Sequence, residues 1–254
     1  MKRVFLLMVF IAVGYSLFAI PTKIIVRARA KDAKFIGTSV GGAHVIIRNK
    51  LTDEILSQGI TAGSTGSTKV IMNTLRDRNT KLADENTAKF MAELDLEEPV
   101  FVRVEVFAPV NQKQATVEAA TELWLIPGKH VLGDGIVIEI PGFIVDLLKP
   151  RTHQFISLKS LTDRSISVQA NIVMMCGCTI NDGGLWDANK MEVRGILKRD
   201  GETVGEVDMR LYSPNVFEGI AEVNGTGSYE LIVYAYHAET GNTGVDKVNY
   251  VVRE

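Results

Sequence analysis

The residues best suited to chemistry lie together in Met174-Met175-Cys176-Gly177-Cys178. Two thiolates two residues apart, beside thioether sulfurs, form a soft donor set that suits Cu(I) or Zn(II). The same spacing closes a local disulfide ring, which would support a thiol–disulfide role. Buried free thiols are the third state, because cysteine is a frequent core residue and the parity of Met174 and Cys176 places both on a buried strand face. The pattern leaves these three states open. Two cysteines in a chain of 254 residues are not a disulfide framework, so stability must come from packed cores.

What joins those sulfurs depends on topology. If residues 151–254 form a seven-strand sandwich, its second and sixth strands run the same way. The loops leaving Met174 and His237 then share one pole, which brings Cys176, Cys178, His237 and Asp187 towards one another. His237 has the parity of Tyr229, Leu231, Val233 and Ala235 and is expected to point inward. A metal site would therefore use Cys176, Cys178, His237 and Met174. Trp186, in the same glycine-rich loop, is either a lid over the core or, with Asp187, an exposed partner contact at a loop-bearing end.

Other motifs read as turns or solvated faces. Gly37-Thr38-Ser39-Val40-Gly41 matches the G-x-S-x-G elbow of serine hydrolases, but that elbow needs a helix after the serine and a β-branched run follows here. Residues 63–69 superficially suggest a phosphate loop and have the wrong spacing for one. Asn224-Gly225-Thr226 fits a glycosylation acceptor and equally a turn. Asp95, Glu97 and Glu98 cluster before Pro99 and read as a solvated strand face, since acid–base work needs a cleft at defined separation. The four histidines are dispersed.

The elements that must position these residues are strands, because side-chain character alternates with period two along most of the chain. Ile24, Val26, Ala28 and Ala30 share a face, residues 44–49 form a β-branched run, and 54–57 a short strand. Residues 74–86 are highly charged and predict a long loop with one helical turn. Strands follow at 88–96, 100–108, 115–126 and 136–140, and Pro150 with residues 151–154 marks the expected linker. In the second half, 191–198 and 203–212 flank an Asp200-Gly201 hairpin turn, with further strands at 155–160, 166–174, 216–223, 229–237 and 247–252.

Gly227-Ser228-Tyr229-Glu230-Leu231 resembles the end of the immunoglobulin pattern and its tyrosine corner, with Leu231 in the cysteine position. With Ala235 and the Gly241-Asn242-Thr243-Gly244 turn, residues 151–254 resemble a bacterial immunoglobulin-like domain that lacks the cysteine pair and the third-strand tryptophan. Residues 22–73 are similar to the transthyretin-like, carboxypeptidase-regulatory type of sandwich, through Gly41-Gly42-Ala43-His44-Val45-Ile46-Ile47, Thr52, Glu54, Gly59 and Thr61. These resemblances imply adhesion, spacer or binding roles. The expected fold is all-β: two β-sandwich domains in tandem, a transthyretin-like one over 20–150 and an immunoglobulin-like one over 151–254, behind a signal sequence at 1–19.

Lys2 and Arg3 precede an apolar stretch over 4–19, the layout of a secretory signal, with cleavage near Ala19 or retention as an N-terminal anchor. No later apolar stretch is long enough to span a membrane. The charge of −2, from 28 basic and 30 acidic residues, becomes −4 without Lys2 and Arg3, and no basic run exists to coat a phosphate backbone. Nucleic acid is therefore disfavoured. The expected function is a non-enzymatic extracytoplasmic module of the cell envelope, periplasmic or secreted, with a protein partner. The alternatives are a Cu- or Zn-binding protein and a thiol–disulfide redox protein.

Overall fold

The computed structural model describes residues 19–75 and 77–254; the expected signal sequence lies outside them, apart from Ala19. The described chain is almost entirely strand and forms two β-sandwiches. The N-terminal one contains β1 (Ile20–Ala30), β2 (His44–Asn49), β3 (Ile55–Ile60), β4 (Phe90–Leu96), β5 (Val100–Ala108), β6 (Val117–Leu125) and β7 (Val131–Ile140). One sheet has the order β4-β1-β7, the other β3-β2-β5-β6. β1 lies antiparallel to β4 and parallel to β7. The alternating positions meet as expected: Ile24, Val26, Ala28 and Ala30 of β1, Val45 and Ile47 of β2, and Val102, Val104 and Val106 of β5 are all buried.

Arg27 breaks the alternation. It is buried, and its guanidinium donates to the carbonyls of Thr87, Ala88 and Gly133. Those bonds tie the 74–89 segment to the sheet, and the Asp134 carboxylate adds two more by accepting from the Leu82 and Ala83 N–H groups. Burial lowers the Arg27 pKa against the opposing pull of Asp134 and Asp84. The helical turn expected within 74–86 forms just before it, at Lys69–Asn73, where Ile71 supplies a side chain to bury.

The C-terminal sandwich contains β8 (Phe143–Lys149), β9 (Phe155–Ser157), β10 (Ser165–Met174), β11 (Met191–Arg199), β12 (Glu202–Asp208), β13 (Arg210–Ser213), β14 (Val216–Glu222), β15 (Gly227–His237) and β16 (Asn242–Arg253). Its sheets run β13-β14-β10-β8 and β12-β11-β15-β16-β9. β8, β10, β14 and β13 take the places of strands A, B, E and D of the immunoglobulin fold, and β11, β15 and β16 those of C, F and G. The expected tyrosine corner is present: the Tyr229 hydroxyl donates to the Gly225 carbonyl at 2.9 Å, and its ring stacks on Tyr250 at 5.3 Å. Leu231, in the cysteine position, is fully buried.

Two element boundaries differ from expectation. Phe143–Lys149, placed by the sequence in the first unit, pairs antiparallel with β10 of the second. Pro150 marks a switch between the two sheets of one sandwich, with β8 in one and β9 in the other, and the chain passes between sandwiches at Pro141-Gly142. The strand expected over 203–212 likewise breaks at Met209, whose side chain is buried, so that β12 and β13 join opposite sheets. Each switch exchanges hydrogen-bonding partners without leaving the shared core.

The sandwiches meet end on through hydrogen bonds from both sides. The Lys31 N–H donates to the Ile140 carbonyl at 2.9 Å. The Asn242 side chain accepts from the Gly142 N–H and donates to the Lys31 carbonyl. The buried apolar side chains run without a break from one sandwich into the other.

Candidate functional site

At the end of β10 the chain turns back tightly. The Gly177 N–H donates to the Met174 carbonyl at 2.7 Å, and the Met174 N–H to the Cys178 carbonyl at 3.2 Å. Gly177 has φ +75°, and a Cβ there would come within 2.8 Å of Val40 Cγ1, so only glycine fits both the conformation and the space. Cys176 and Cys178 are joined in a disulfide within this turn, the second of the three states open from the sequence. Both are buried, at 1% and 9% exposure.

The shared-pole argument holds for part of the predicted set. Met174, Trp186, Asp187 and His237 line one cleft of about 120 Å³, with Asp32, Phe143, Lys190 and Asn242 around them. Cys176 and Cys178 do not join them. Their turn faces the N-terminal sandwich and lines a separate open groove with Ser39, Gly63, Ser64 and Thr179. The expectation that the thiols and His237 converge is therefore corrected: the tight reversal at Gly177 swings the sulfurs across the β10 end, and the Trp186 loop stands between the two recesses. Among the described residues, no three His, Cys, Asp or Glu side chains gather at a spacing that would hold a metal ion.

Each lining residue has a structural anchor. The indole N–H of Trp186 donates to the Asp32 carbonyl at 2.9 Å, so the half-buried ring is a strut between the sandwiches, neither a core lid nor a free contact. Asp187 accepts from the backbone N–H groups of Asn189 and Gly183, which holds its carboxyl below the ordinary value. One of its oxygens is thus spent on fixing the loop. His237 keeps the inward parity read from the sequence and pairs its Nδ1 with the Thr240 hydroxyl at 2.9 Å. At the cleft mouth Lys190 meets Glu239 at 3.4 Å. The site therefore offers an aromatic edge, an apolar floor of Phe143 and Met174, and charges of both signs. That is a recognition surface; the cleft presents no nucleophile beside a general base.

Sequence reasoning missed two features. Ser39 was weighed only as a nucleophile, but the Thr38–Val40 segment is a single 3-10 turn between strands, and it forms the wall against which Gly177 packs. A second groove, at the opposite end of the C-terminal sandwich, is lined by His153, Phe155, Lys198, Asp200 and Tyr229, with the Arg253 guanidinium 3.9 Å over the Phe155 ring. The Asp200-Gly201 turn was its only signal in the sequence.

No family model matches the chain, and no curated protein matches it. Solved structures do resemble it. The fibronectin(III)-like modules of Clostridium thermocellum CbhA are 13% identical, with 92% of this chain and 94% of that chain covered and a TM-score of 0.29. The titin domains Z1Z2, solved with telethonin, are 10% identical over 92% and 96% at 0.26. A structure of ICOS with ICOS-L and an antibody domain is 11% identical over 89% and 94% at 0.22. These neighbours are β-sandwich modules, and at such scores the sheet order itself assigns the fold: this is a tandem β-sandwich protein whose C-terminal half is immunoglobulin-like. The transthyretin-like resemblance of residues 22–73 is not established by these likenesses.

Proposed function

We propose that the chain is a non-enzymatic binding or structural module of the cell envelope, working outside the cytoplasm, and that its junction cleft receives a segment of a protein partner. The observation that carries this reading is the convergence of Trp186, Phe143, Lys190, Asp32 and Asn242 where the two sandwiches meet. Leu185, 51% exposed at the lip, extends the apolar edge outward. An oxidised cysteine pair supports an extracytoplasmic setting. The test is capture from envelope extract on the immobilised wild type and on Leu185→Glu and Lys190→Glu. A protein retained by the wild type and lost with both variants supports the reading; equal retention, or none, overturns it.

A thiol–disulfide role is the second reading, favoured by the Cys176–Cys178 bond beside the open groove between the sandwiches. Mass-spectrometric thiol counting in glutathione buffers tests it, and a pair that stays oxidised in the native protein under reducing poise removes it. The soft-metal reading, with Cu or Zn on Cys176, Cys178, Met174 and His237, requires that bond to open first. Anaerobic Cu(I) and Zn(II) titration of the reduced protein, against the Cys176→Ser, Cys178→Ser double variant, decides it.

A further inference from the structure

The end of the N-terminal sandwich farthest from the junction carries large apolar side chains in water. Leu51 is 80% exposed, Trp124 59%, Ile126 48% and Ile20 47%. They are neighbours. The Lys50 N–H, beside Leu51, donates to the Phe101 carbonyl, and the Phe101 ring lies 5.1 Å from that of Trp124. The turn after Ile126 returns to Ile20, whose Cγ2 sits 3.2 Å from where a Cβ on Gly128 would be. The Gly128 N–H is bonded to Thr22 at 3.0 Å. Ion pairs such as Lys50–Glu122 at 2.8 Å flank the patch.

Ile20 is also where β1 begins, directly after the apolar 4–19 stretch. We propose that this pole rests on a lipid bilayer, with residues 4–19 retained as its anchor. The reading shares only the extracytoplasmic setting with the proposed function. Lys2 and Arg3 at the head of the stretch keep that end on the cytoplasmic side and put the sandwiches on the other. Sixteen residues in helical form reach about 24 Å, short of a hydrocarbon core of roughly 30 Å, and a short span draws its flanking surface against the lipid. No linker separates the stretch from β1, so the surface drawn in is this pole. Tryptophan beside aliphatic side chains is the composition of a membrane-interface belt. Asp95, Glu97 and Glu98 sit at the same end, which selects a zwitterionic surface over an anionic one.

The chain has two tryptophans, and they report on opposite ends. Trp186 binds Asp32 just past the far end of β1, about 33 Å from Ile20 at the rise of an extended strand. The full chain is placed in phosphatidylcholine vesicles carrying lipid brominated near the headgroup, as Trp186→Phe and as Trp124→Phe. The expected result is about twofold quenching of Trp124 with Trp186 unchanged, as an interfacial ring requires. Should Trp186→Phe disturb the fold, subtracting the Trp124→Phe signal from wild type gives the same reading. Equal quenching of both rings or none overturns the proposal, as does native envelope protein whose intact mass begins after residue 19, or a crosslink joining Trp124 of one copy to another. None of these outcomes touches Leu185-dependent capture, so the two readings fail separately.

Discussion

The side-chain amide of Asn242 reaches the carbonyl of Lys31 at 3.1 Å, across 211 residues of sequence and from one sandwich to the other. Its oxygen meanwhile accepts from the Gly142 N–H at 2.8 Å, at the point where the chain crosses over. One buried side chain thus satisfies backbone groups on both sides of the junction. Asn242→Ala should leave a donor and an acceptor unpaired and cost about 1–3 kcal/mol. Thermal unfolding checks this, and an unchanged Tm would show that the junction does not depend on Asn242.

The stacked tyrosines should respond in opposite senses. Tyr229→Phe removes the hydroxyl bonded to Gly225 and should cost about 0.5–1.5 kcal/mol. The Tyr250 hydroxyl is buried without a hydrogen-bond partner among the described residues, so Tyr250→Phe should be neutral or stabilising. Burial raises the Tyr250 pKa well above its ordinary 10. Its unfolded form releases a proton first as pH rises, so native stability should hold below pH 10 and fall above it. Urea midpoints at pH 8 and 11 test this, with the fall smaller in Tyr250→Phe.

Gly177→Ala should loosen the junction. A left-handed φ alone costs an ordinary residue about 1–2 kcal/mol, and contact with Val40 adds to it. Faster proteolysis near the 37–41 turn, with the Cys176–Cys178 bond intact by mass, is the expected signature. Unchanged protease resistance would mean that the turn is not held against the first sandwich.

Asp146 on β8 lies close enough to Asp246 on β16 to feel its charge, and burial followed by that charge raises its pKa. A carboxyl raised in the folded state contributes most stability below its unfolded pKa of about 3.8 and loses it as pH rises. Asp146→Asn should therefore raise Tm at pH 7 and leave it nearly unchanged at pH 3. An equal shift at both pH values would assign the effect to packing.

The fold was legible where one face of a strand is buried and the other wet, because alternation is then forced. β2 starts and ends where its β-branched run does, and Tyr229 announced the corner it forms. The pattern misled at Pro150 and Met209, where a strand changes sheets; a period of two is blind to which sheet supplies the partners. Arg27 escaped notice because its bonds go to carbonyls far along the chain, which no local spacing encodes. The candidate site was half legible. Strand direction correctly brought Met174 and His237 to one pole, but one glycine set the heading of the sulfurs, and its left-handed φ follows from a contact with Val40 in another sandwich.

In each sandwich the strand that enters runs alongside the strand that leaves, in the same direction: β1 beside β7, and β9 beside β16. Tension applied to the two ends of the chain would pull the members of each pair in opposite directions along their length. Their inter-strand bonds would then have to shear together, where a zipper would open them singly, so the molecule is built to transmit a pull.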